Sequence, residues 1–123
     1  VMQPGPRHYR SAMLRIAICE ALPDHMRDGT REILSLSCAN PRKGYATHLM
    51  AEVCREADEA GIVLIVQPGQ FDEGMTTEQL ERWYTRFGFM ALPKEEGMPT
   101  VMARWRYGKV IDTAQIIGVD SCA

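Results

Sequence analysis

The sequence has no apolar run long enough to cross a bilayer. Its longest uncharged apolar stretch, Ile62–Val66, is far short of the ~20 residues a membrane helix needs, and Met13–Cys19 is interrupted by Arg15. The N-terminus carries Pro4, Gly5 and Pro6, then Arg7, His8 and Arg10, and lacks the apolar stretch and small-residue cleavage site of a secretory signal, so a cytoplasmic chain is expected. Cysteine is sparse and scattered. Cys19, Cys38, Cys54 and Cys122 form no C-x-x-C pair and have no histidine at ligand spacing, so neither a metal site nor a disulfide framework is expected. An excess of one charge is missing as well: 14 basic against 16 acidic residues leave a net charge of −2, with no global field toward nucleic acid or an anionic membrane. A nucleic-acid role would rest on the local Arg42, Lys43 and Tyr45, with no basic stripe beyond them.

What is present is an ordinary globular composition, 46% apolar and 24% charged over 123 residues, which is room for one core. The expected domain runs over 13–107, after a lead-in at 1–12 and before a tail at 108–123. Leu14–Glu20 alternates like a strand that stops before Pro23, and Asp28-Gly29 reads as a hairpin turn into a second alternating strand, Glu32–Cys38, with Leu34 and Leu36 on one side. After the Asn40–Gly44 loop, Leu49, Met50, Val53 and Ala57 mark one face of a helix that leaves Glu52, Glu56 and Glu59 to water and ends at Gly61. Ile62–Val66 is a continuous β-favouring run suited to a central strand, so strand, helix and strand form a βαβ crossover in an α/β sheet. Thr76 and Gln79 spell a capping box, Leu80, Trp83, Tyr84 and Phe87 give the next helix its apolar face, and Gly88 stops it. Phe89–Leu92 and Thr100–Tyr107 read as a closing hairpin.

Two segments carry chemistry. Arg42-Lys43-Gly44-Tyr45-Ala46-Thr47 enters a helix directly after a strand, and a helix N-terminus offers unpaired N–H groups and a positive dipole end to a phosphate. Downstream, Trp83-Tyr84-x-x-x-Gly88-Phe89 pairs aromatics with a following Gly-Phe. Together, with the crossover between them, these segments resemble the GNAT superfamily of acetyl-coenzyme A (acetyl-CoA) dependent N-acetyltransferases. In that family a Q/R-x-x-G-x-G/A loop holds the pyrophosphate and a later F-Y-x-x-x-G-F helix brings a tyrosine beside the cofactor sulfur. The resemblance covers Glu32 to about Arg106 and implies a mixed central sheet with a truncated N-terminal half, similar to small members from phage genomes.

By that resemblance acetyl-CoA is the cofactor. Leu36, Ser37 and Cys38 would hold its acetyl and pantetheine end, and Arg42, Lys43, Gly44, Tyr45, Ala46 and Thr47 its pyrophosphate. Thr77 stands where many members have asparagine, and Pro41 occupies the Gln/Arg slot. The implied reaction is acetyl transfer to a primary amine, on a protein lysine or a small molecule. Tyr84 is the candidate general acid, because a phenol of pKa ~10 can protonate a departing thiolate; the alternative is that it fills its helix's core face. Glu32 is the candidate base, two residues out of register with the family's strand glutamate. The shortened acceptor half and Pro41 keep a second reading open, a weak or inactive cofactor-binding inhibitor of a host partner. An exposed first strand at Leu14–Glu20 and the apolar tail suggest a homodimer.

Overall fold

A computed structural model describes residues 2–39, 43–68 and 76–105. It holds a six-stranded mixed sheet and three helices, with strands β1 (Gly5–Tyr9), β2 (Ala12–Ile18), β3 (Thr30–Cys38), β4 (Val63–Val66), β5 (Phe89–Ala91) and β6 (Met102–Arg104) in the order β1-β2-β3-β4-β6-β5. Helices are α1 (Asp24–Arg27), α2 (Tyr45–Ala60) and α3 (Thr77–Thr85). Among the described residues the parallel neighbours are β3 and β4, joined by α2, as the crossover reading expects.

Helix α2 takes its face from sequence spacing. Leu49, Met50, Val53, Cys54 and Ala57 are buried, and Gly61, at φ +67°, closes the helix in the left-handed conformation that glycine adopts without penalty. Helix α3 starts at a complete capping box: Thr76 Oγ1 accepts from Gln79 N at 3.1 Å, and Thr76 N donates to Gln79 Oε1 at 2.9 Å. Leu80 and Tyr84 of α3 join the same core cluster as the buried residues of α2, together with Leu14, Ile16, Ile33, Leu64, Phe89 and Met102 from the sheet. Arg104 fastens this layer. Its guanidinium donates to both Asp58 oxygens on α2 at 2.7 and 3.0 Å and to the Phe87 carbonyl at 2.6 Å, so β6, α2 and the end of α3 share one buried charge.

Four expectations change. The segment 1–12, read as a lead-in, supplies the edge strand β1, which pairs antiparallel with β2, and Met2 is fully buried. The reason is cross-layer bonding: Arg7 forks onto Glu56 of α2 at 2.9 and 3.1 Å, and Arg31, itself buried, donates to the Met2 carbonyl at 2.9 Å. The strand read at Leu14–Glu20 is therefore interior, flanked by β1 and β3, and does not offer the exposed edge on which a dimer was expected. β1 takes that place with Pro6 in it, a residue that suits an edge. Pro23 precedes the short α1 inside the β2–β3 connection, so that connection is longer than the Asp28-Gly29 hairpin.

The fourth change is in β3. Leu14 faces Leu36 and Arg15 faces Ser35, but Ile16 faces Ile33, which leaves Leu34 as an extra residue without a partner on β2. This bulge shifts the alternation by one. Leu36 turns into the core with Ile33, whereas Leu34 lines the opposite face beside Glu32. The expected shared side of Leu34 and Leu36 does not hold. The tail at 108–123, with the dimer contacts expected of it, lies outside the described residues.

Candidate functional site

Pairing between β3 and β4 runs from Thr30–Val63 to Ile33–Val66 and stops there, at the bulge. β4 ends at Val66, so from Leu34 to Cys38 β3 pairs with β2 alone among the described residues. This unpaired side of β3 lies at the C-terminal ends of two parallel strands, the position where ligands bind in open α/β sheets, and is called the cleft below. Leu36, Ser37 and Cys38 form its β3 wall. Leu36 is buried, Ser37 exposed and Cys38 half-buried, with its Sγ 3.7 Å from Ser11 Oγ.

Helix α2 begins beside this cleft. Gly44 is its N-cap at φ +78°, no side chain caps the first turn, and no acidic residue stands in it. A Cβ built on Gly44 meets nothing within 4 Å, so the space over the helix start is open. Uncapped N–H groups, a positive dipole end and open space fit a phosphate. Lys43 and Thr47 are exposed here, while Tyr45 and Ala46 are half-buried against the core. Arg42 lies outside the described residues.

The turn between β1 and β2 reaches the same end of the sheet, since the Ser11 carbonyl accepts from Ala39 N at 3.3 Å. It brings two residues that sequence reading left in the lead-in. Tyr9 stacks on His48 at 3.8 Å between centroids and meets Tyr45 edge-on at 5.9 Å. Arg10 lies over both tyrosine rings, 5.6 Å from each centroid. His48 also contacts Glu52 at 3.0 Å. No motif marks Tyr9 and Arg10; only strand pairing carries them to α2.

The other candidates sit apart. Thr77 is exposed in the first turn of α3. The Tyr84 ring is 1% exposed, edge-on to Trp83 at 5.1 Å and to Phe89 at 5.3 Å, so it packs as the core-face alternative describes. Glu32 is half-buried within the paired part of β3, opposite Ala17 and Ile65, and lines a shallow groove of about 530 Å³ with Arg15, Ala17, Glu20 and Leu34.

The fold recurs in solved structures. Anti-CRISPR protein AcrVA5 superposes with a TM-score of 0.63 over 83% of this chain and 98% of that one, at 16% identity. A putative phosphinothricin N-acetyltransferase matches at 0.55 over 78% of this chain and 63% of its own length, at 19% identity. The fold is GNAT-like. No family model and no curated protein sequence matches the chain, so the GNAT likeness lives in the backbone. Among the described residues, no helix is long and apolar enough to cross a membrane.

Proposed function

We propose that the chain is an acetyl-CoA dependent N-acetyltransferase acting on a primary amine, on a protein lysine or a small molecule. The unpaired end of β3 beyond Ile33, beside an uncapped, glycine-started helix, supports this reading. When bound, the cofactor supplies the acetyl group as a thioester. The N–H groups at the start of α2, from Gly44 to Thr47, would hold its phosphates, with Lys43 and Arg42 adding charge. The β3 wall at Leu36, Ser37 and Cys38 would orient the acetyl end, because its backbone on the β4 side has no strand beside it among the described residues. Tyr84 would donate the proton that the leaving thiolate needs, and Glu32, on the far face of β3, would take the proton that the amine loses.

A second reading, a cofactor-binding protein that inhibits a partner without turnover, is favoured by one observation: the Tyr84 ring is enclosed in the core. The likeness to an anti-CRISPR protein over nearly its whole length is in keeping with either reading. Calorimetry with coenzyme A (CoA), followed by intact-mass measurement of candidate amine-bearing proteins incubated with acetyl-CoA and the chain, separates them. Binding with a gain of one acetyl mass supports the enzyme, and binding without it supports the inhibitor. Absence of binding overturns both.

A further inference from the structure

The first turn of α2 runs against the usual charge preference of helices. Acidic residues stabilise a helix N-terminus and cations oppose it, yet this turn has no acid and no side-chain cap. Two cations, Lys43 and Arg10, stand beside it instead. Arg10 has no carboxylate partner among the described residues, because the nearby acids are taken: Glu56 by Arg7 and Glu52 by His48. Nor is its side chain simply extended into water. The guanidinium lies over the faces of Tyr9 and Tyr45, and Tyr45 is the first residue after Gly44. Stacking of this kind, with Nε donating to the Tyr9 hydroxyl at 3.5 Å, holds the arginine in place and leaves its two terminal NH2 groups to bind a further partner.

We infer that Arg10, positioned by Tyr9 and Tyr45, is a phosphate-binding residue of the cofactor cleft, supplying from the β1–β2 turn a charge-assisted contact in addition to that of Lys43. Guanidinium is suited to this by its fork of donors. The inference rests on the proposed use of CoA. The phosphate it meets is either in the diphosphate or at the 3′ position of the ribose, and the chemistry is the same for both.

The test is calorimetric titration of the full chain with CoA and with 3′-dephospho-CoA. The variants are Arg10→Asn, which suits a left-handed backbone at φ +51°, and Arg55→Gln, which removes an equal charge from an exposed position ten residues further along α2. Arg10→Asn is expected to weaken CoA binding ~10-fold, as the loss of one charge-assisted bond implies, with Arg55→Gln unchanged. If the contact is to the 3′-phosphate, dephospho-CoA binds the wild type and Arg10→Asn equally; if to the diphosphate, Arg10→Asn weakens both ligands alike. Equal CoA affinity in Arg10→Asn and wild type, or an equal loss in Arg55→Gln, overturns the role of Arg10 while leaving cofactor use intact. A wild-type chain that binds neither ligand overturns the proposed function and this inference with it. Circular dichroism of both variants, matching the wild type, ties any loss to the side chain.

Discussion

Cys54 lies on the buried face of α2, and burial pushes its thiol up to about 11 from an ordinary value near 9. Between those two values the folded chain keeps a proton that the unfolded chain has released, so stability falls as pH rises through the window and is unaffected by this group below it. The loss approaches roughly 2 kcal/mol at the upper end. Denaturant unfolding at pH 8 and pH 10.5 checks this: Cys54→Ala is expected to show a smaller decline between the two pH values than the wild type. Tyr84 poses a different question, because its ring and its hydroxyl are asked to do separate things. Tyr84→Phe keeps the ring contacts with Trp83 and Phe89, so the fold and CoA affinity should persist. Steady-state turnover should drop ~10²–10⁴-fold if the hydroxyl is the general acid, and unchanged turnover would assign the residue to packing alone.

At the scale of elements, α2 joins the core to the cleft, and Gly44 is the joint. A side chain there takes on a left-handed backbone, worth about 1–2 kcal/mol, but meets no neighbouring atom. Gly44→Glu is therefore expected to lower the unfolding midpoint modestly while abolishing CoA binding, because it puts a negative charge where phosphate would lie; unchanged affinity by calorimetry would refute the site. α2, α3 and β4 were legible in the sequence because each is set by local pattern: apolar spacing with a terminal glycine, a capping box, a continuous β-favouring run. β1 was not. Gly5-Pro6-Arg7-His8-Tyr9 has no apolar alternation, and its place in the sheet comes from Arg7 reaching Glu56 on a distant helix. The cleft was legible only in part. Its helix side shows as a glycine after a strand, whereas Tyr9 and Arg10 arrive through β1 and carry no spacing to any other site residue.

The whole molecule depends on that edge strand. A chain starting at Met13 loses β1, the buried Met2, the Arg7–Glu56 pair and one carbonyl acceptor of buried Arg31, and it bares the outer edge of β2. Such a chain should unfold at lower denaturant than the full chain and show larger species by light scattering; equal stability and equal mass would mean that β1 is dispensable. The bulge in β3 is a matter of counting. Before Leu34 the core-facing side chains of the strand carry odd numbers, as at Ile33, and after it even ones, as at Leu36. The strand is thus two half-strands out of phase, spliced by a single residue, and nothing about the kind of residue at that splice is required. With one residue fewer the halves would fall into step, and Ile33 and Leu36 would share one face of a regularly alternating strand. The break between them follows from the length of one strand.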